Sequence, residues 1–167
     1  FRAFLRNLQE NPDEPADINA LHQHPIAASH WMFEDYTGLS ASDLTMDEID
    51  ELRPDLYQKI ADESKEDLFM KIHDAFTYLP DNRPMIPSKA TLGVFYFLRN
   101  PLDVAVSFAH HNAGTIDQTI SDMKNEKLSI YGNSKKLNSQ LRQKLLSWNS
   151  HVNSWLNASD VSVYLMR

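Results

Sequence analysis

Two short clusters carry side chains suited to chemistry. Lys71-Ile72-His73 closes the apolar run Leu68-Phe69-Met70, and alternation along a strand sets Lys71 and His73 on one face, about 7 Å apart at ~3.3 Å per residue. A cation and a titratable base at that spacing can serve one reacting centre. The same pattern also fits a strand-end histidine bonded to a backbone carbonyl beside a snorkelling lysine. The second cluster is Arg99-Asn100-Pro101-Leu102-Asp103-Val104-Ala105-Val106-Ser107. Its arginine offers a planar fork of donors suited to a phosphate, and Ser107 adds a hydroxyl from the following helix. Together they can grip a dianion; alternatively Arg99 pairs with a carboxylate and Ser107 is merely tolerated in a helix.

Strands and helices must bring these residues together. Leu68 to His73 reads as a strand, after which Pro80, Pro84 and Pro87 enforce a loop. Thr91 to Leu98 is apolar almost throughout, as suits a parallel strand covered on both faces. Asp103 is a candidate cap for the next helix, whose packing surface falls to Val104, Val106, Phe108 and Ala109. A short helix is expected over Ile116 to Met123, and a long one over Ser139 to Leu156, with Leu141, Leu145, Trp148, Val152 and Trp155 as its buried stripe. The alternating Val161-Ser162-Val163-Tyr164-Leu165-Met166 reads as a closing strand. Upstream, Thr45-Met46-Asp47-Glu48 has the spacing of a capping box and starts a helix that Pro54 is expected to break before it resumes to about Ser64. Asn11 to Pro25 reads as a solvated loop. Strands alternating with helices imply a parallel sheet with helices on both faces, and the class is α/β. Ligands in open α/β sheets bind outside the C-terminal strand ends, where both clusters fall.

The chain has 167 residues, with 42% hydrophobic and 23% charged side chains and no cysteine. That suits one globular domain with a real core and excludes a disulfide scaffold, a thiol nucleophile and cysteine-ligated metal. Net charge is −7, so a broad nucleic-acid surface is not expected. Residues 1–90 hold 18 acidic and 8 basic side chains against 5 and 8 in residues 91–167, which directs an anionic ligand to the second half. No run approaches the ~20 apolar residues of a membrane span, and no signal peptide is visible, so no membrane is implied and a cytoplasmic location is expected. The amphipathic pattern Phe1, Phe4, Leu5, Leu8 begins without a cap, and the last strand ends without a turn, so residues are expected before Phe1 and after Arg167.

Other residues read as structural. His22, His24 and His30 lack a supporting carboxylate pattern and are expected to be solvated, with no metal site. His110 and His111 suit a helix C-terminus. Trp31, Met32 and Phe33 read as core, as do Trp148 and Trp155.

The run from Tyr96 to Ser107 resembles the second nucleotide-binding signature of sulfotransferases that use 3′-phosphoadenosine 5′-phosphosulfate (PAPS), and Lys71-Ile72-His73 is similar to that family's K-x-H element. Trp148, His151 and Trp155, followed by the last strand, extend the likeness over most of the chain. The resemblance implies a three-layer fold with a central parallel sheet flanked by helices, of the kind found in P-loop NTPases and truncated here at both ends, with residues 1–167 as a partial sulfotransferase domain. It implies His73 as catalytic base, Lys71 at the sulfuryl group, and Arg99 and Ser107 on the cofactor 3′-phosphate. It further implies a small-molecule acceptor bearing a hydroxyl or amine, adenosine 3′,5′-bisphosphate as product, and no metal. The family's 5′-phosphosulfate loop and its C-terminal segment at the 3′-phosphate fall outside these residues, which are expected to be inactive alone. A non-catalytic nucleotide-binding or scaffold domain of the same fold is the alternative. A kinase is disfavoured, because 3′-phosphate recognition serves no purpose with ATP. Nothing in the sequence fixes the oligomeric state.

Overall fold

The computed structural model describes residues 2–10, 25–132 and 139–167. The helices are α1 (Arg2–Glu10), α2 (His30–Thr37), α3 (Met46–Glu63), α4 (Pro101–His111), α5 (Ile116–Met123) and α6 (Trp148–Leu156), and the strands are β1 (Val94–Phe97), β2 (Ser129–Ile130), β3 (Gln143–Lys144) and β4 (Val163–Met166). β1 and β4 pair in parallel from Val94↔Val163 to Phe97↔Met166, while β2 and β3 pair antiparallel. This is a mixed α/β arrangement with two small sheets. The loop expected over Asn11 to Pro25 lies outside the described residues except at Pro25, and so do Phe1, His22 and His24.

The capping box forms as spaced: Thr45 Oγ1 accepts from the Glu48 amide and a Glu48 carboxylate oxygen accepts from the Thr45 amide. The Thr45 amide and the Thr45 hydroxyl, both donating to that carboxylate, hold the Glu48 carboxyl below its ordinary pKa. The break expected at Pro54 does not occur, and α3 runs through it. Ile49, Leu56, Tyr57 and Ile60 bury one face of α3 on both sides of the proline, and this shared burial outweighs the roughly 3 kcal/mol a helix-interior proline costs.

Three other expectations are corrected. The long helix over Ser139 to Leu156 is shortened to α6, because the residues before it pair with other segments instead. Gln140 bridges Ser29, the Leu141 amide bonds the Ala28 carbonyl, and Gln143 and Lys144 pair with β2. Leu146 then turns at φ 60°, and Ser147 caps α6 by accepting from the Ser150 amide. Leu141 is buried as the stripe requires, but outside any helix. Second, Leu68 to His73 does not make a strand. Only Lys71 bridges, in parallel to Ile26, since the Asp74 carboxylate takes the Lys144 amide and bends the chain away from a ladder. Third, β1 is not covered on both faces: Val94 and Tyr96 point inward, whereas Phe95 and Phe97 are exposed by 45% and 52%.

At α4 the cap is Asn100, whose side chain accepts from the Leu102 amide, with Pro101 as first helical residue; Asp103 sits in the first turn. Ala105 and Ala109 form its buried stripe, and Val106 is exposed. α5 spans the expected residues, capped by Thr115. Met32 and Phe33 are core, but Trp31 is 71% exposed. Trp155 is 2% exposed, whereas Trp148 is only half-buried. His30 opens α2 half-buried, not fully solvated. In α1, Leu5 is buried while Phe4 and Leu8 are exposed. No helix among the described residues is long and apolar enough to cross a membrane.

Candidate active site

His73 sits where three separated segments meet. Backbone bonds from Lys71 N to Pro25 O and from Ala27 N to Lys71 O, both 2.9 Å, hold its upstream side. Downstream, the Ala75 amide bonds the Lys144 carbonyl at 2.8 Å, and Asp74 Oδ1 accepts the Lys144 amide at 2.9 Å. The half-buried His73 ring places Nδ1 2.9 Å from Gln143 Oε1. Its partner is thus a side chain, not a backbone carbonyl. Burial, followed by the nearby Lys71 ammonium, lowers the His73 pKa below 6.5, and the bond to Gln143 and the Asp74 charge only partly offset this. The ring is consequently neutral at neutral pH, as a general base must be. Lys71 is exposed and has no ion pair among the described residues.

Beneath His73 lies a buried ionic network. The Arg53 side chain is fully buried and donates to Asp74 through Nη2 at 2.7 Å and Nη1 at 3.2 Å, to the Tyr57 hydroxyl through Nε, and to the Arg142 carbonyl through Nη1. Asp50 takes Lys144 Nζ at 2.9 Å and Arg142 Nη2, which also bonds Asp47 at 2.6 Å. Two cations of the basic half are thereby neutralised by carboxylates of the acidic half, so Arg142 and Lys144 are not open to an anionic ligand.

His151 of α6 is a second histidine of this region. Its Nδ1 lies 2.9 Å from the Leu145 carbonyl, which fixes Nδ1 as donor, and its ring stacks on Tyr96 of β1 with centroids 5.9 Å apart. Burial, chiefly, lowers its pKa, and the charge of His73 reaches it and lowers it further. Burial also pushes the Tyr96 phenol up to about 12. Trp155 stacks on Tyr96 and donates from Nε1 to the Asp74 carbonyl at 3.1 Å. Tyr96 and Trp155 thus tie β1 to the segment that carries His73.

Arg99 follows the last ladder bond, from Leu98 N to Met166 O, and immediately precedes the Asn100 cap. It is exposed and makes no ion pair among the described residues. Ser107 is exposed on the side of α4 opposite Ala105 and Ala109. The two clusters share the framework of β1 and α6, but among the described residues no hydrogen bond or ion pair joins Lys71 or His73 to Arg99 or Ser107. His110 and His111 are exposed in the last turn of α4. Gln143 and the Arg53–Asp74 pair escaped the sequence reading. The first lies in the stretch read as helix, and a buried ion pair 21 residues apart leaves no periodic trace, although the acid directly after His73 was visible.

Comparison of the chain with protein-family models gives no match, nor does comparison with curated proteins or with solved structures. The fold and site therefore stand on their own geometry: a mixed α/β protein with a neutral, oriented histidine beside a lysine, and an exposed arginine between a parallel strand and a capped helix.

Proposed function

We propose that this chain is part of a sulfotransferase that moves the sulfuryl group of PAPS to a hydroxyl or amine of a small molecule, on the three-layer fold its motifs imply. The observation that carries the reading is the placement of His73: its Nδ1 is held 2.9 Å from Gln143 Oε1, burial lowers its pKa, and next but one to it stands the exposed Lys71, which has no ion pair among the described residues. In the proposed reaction His73 Nε2 takes the proton of the acceptor hydroxyl as that oxygen bonds to sulfur. The bond from sulfur to the bridging phosphate oxygen breaks, and adenosine 3′,5′-bisphosphate departs with the electron pair. Lys71 balances charge on the sulfuryl oxygens, and Arg99 with Ser107 holds the 3′-phosphate. A placed base contributes typically about 10²–10⁴-fold, with orientation and electrostatics supplying the remainder.

The test uses the full-length protein and two ligands. Adenosine 3′,5′-bisphosphate should bind much more tightly than adenosine 5′-monophosphate, and Arg99→Ala should weaken the first by about 10–100-fold, from ~1.5–3 kcal/mol for a charge-assisted contact, while sparing the second. His73→Ala should lower turnover with PAPS by about 10²-fold or more and leave bisphosphate affinity nearly unchanged. Equal loss of both nucleotides in the Arg99 variant removes the assigned 3′-phosphate role. Bisphosphate binding without turnover in the wild type moves the assignment to a non-catalytic nucleotide-binding domain.

A further inference from the structure

His73 can act as a base only through a ring nitrogen that carries a lone pair and faces the acceptor, and a neutral imidazole has one such nitrogen. Which one is free depends on what its other nitrogen meets. Gln143, fully buried on β3, presents Oε1 to His73 Nδ1 at 2.9 Å while its own Nε2 donates to Gln140 Oε1 at 2.9 Å. Gln140 Nε2 in turn reaches the Tyr131 hydroxyl at 3.5 Å. The row of amides has one polarity: each nitrogen points away from His73, and the last carbonyl points toward it. Only an Nδ1–H satisfies that carbonyl.

The geometry of this bond is closed on itself. His73 is followed by Asp74, whose Oδ1 accepts the amide of Lys144, and Lys144 follows Gln143. The residues on either side of Gln143 are also held, Arg142 by its carbonyl on Arg53 and Lys144 by its carbonyl on the Ala75 amide. Donor and acceptor therefore sit on backbones already fixed to each other, so little conformational freedom is lost when the bond forms.

We propose that Gln143 is a positioning residue that holds His73 in the Nδ1–H tautomer and thereby leaves the Nε2 lone pair free for the acceptor proton. The catalytic consequence rests on the sulfotransferase reading; the tautomer does not. Lys71, Asp74 and His151 are the charged or titratable groups whose fields reach His73, and none of them supplies an acceptor to Nδ1.

The experiment is a long-range ¹H–¹⁵N spectrum of the histidine-labelled full-length protein, titrated through the His73 transition. In the wild type, neutral His73 should show a pyrrole-type Nδ1 and a pyridine-type Nε2. Gln143→Met keeps length and volume but removes the acceptor, so the Nδ1–H preference should be lost and the His73 pKa should fall. Gln143→Glu keeps an acceptor and adds charge, so the tautomer should persist and the pKa should rise above wild type. With PAPS and an acceptor, the Met variant should lose about tenfold or more in kcat with KM little changed. A wild-type His73 protonated on Nε2, or a folded Met variant with unaltered tautomer and pKa, overturns the proposal. If the Met variant does not fold, the wild-type and Glu spectra decide the matter. An absence of turnover in the wild type refutes the reaction and leaves the spectral result standing.

Discussion

Replacing Asp74 with asparagine removes one charge and two lone pairs at the point where the buried network supports His73. The wild-type carboxylate takes Arg53 Nη2 at 2.7 Å, Arg53 Nη1 at 3.2 Å and the Lys144 amide at 2.9 Å, and neither side chain of the pair is more than 1% exposed. Solvent therefore screens nothing, and breaking a buried pair from one side typically costs about 3–5 kcal/mol. Asparagine can keep the Lys144 amide through its carbonyl, but its NH₂ then faces the Arg53 Nη2 donor. Arg53 retains the Tyr57 hydroxyl, the Arg142 carbonyl and Asp50 Oδ1 at 3.5 Å, which places the cost near the lower bound of about 3 kcal/mol. At about 2–4 °C per kcal/mol for a chain of this size, Tm should fall by roughly 6–12 °C. Urea denaturation of Asp74→Asn gives the single cost, and Arg53→Met, Asp74→Leu and the two together provide the cycle. The double replacement should cost clearly less than the two singles added, because no charge is left stranded. A loss under about 1 kcal/mol for Asp74→Asn, or strict additivity in the cycle, would refute the idea that this pair is structurally coupled.

Two further outcomes follow from the local chemistry. His73 and His151 both have folded pKa values lowered, mainly by burial, below the 6.5 expected of an unfolded chain, so the unfolded state binds protons first on acidification. The contribution of these two histidines to stability is fully present above the unfolded value near 6.5 and is lost as pH falls through the lowered folded values; urea midpoints should show this, and His151→Phe should reduce the slope. Thr45→Ala removes the side-chain half of the α3 capping box and should cost about 1 kcal/mol in the same assay.

What could be read from the chain was whatever depended on neighbours in sequence. Thr45 and Glu48 are three residues apart, so their box was legible, and the same holds for the helix over Ile116 to Met123 and for the closing strand. What failed depended on partners far away. Leu141, Leu145 and Trp148 recur at helical spacing, yet Leu141 bonds Ala28 and Lys144 bonds Asp74, contacts spanning 70 residues or more, and these keep the stretch before Trp148 out of the helix. Pro54 failed in the opposite direction, since a local rule for breaking helices lost to burial along both sides of it.

The candidate site divides along the same line. Lys71 and His73, and Arg99 and Ser107, were singled out because each pair is short-range in sequence and carries the residue types that handle protons and phosphate. Their chemistry, however, is set by groups the spacing could not reveal. A histidine at a strand end titrates near its ordinary value unless something buries it; here burial and Lys71 lower it. It presents whichever nitrogen its neighbour leaves free, and that neighbour, Gln143, is 70 residues away in a stretch whose apolar pattern pointed to a helix. Charge arithmetic by residue number likewise leaves out which cations are already paired. The basic second half was read as the better place for an anionic ligand, and within it Arg142 and Lys144 are held by Asp47 and Asp50. With Arg142 and Lys144 taken up by those carboxylates, Arg99 and Lys71 are the cations of the two motifs that face solvent, and these are the ones the proposed reaction calls on for its anionic groups.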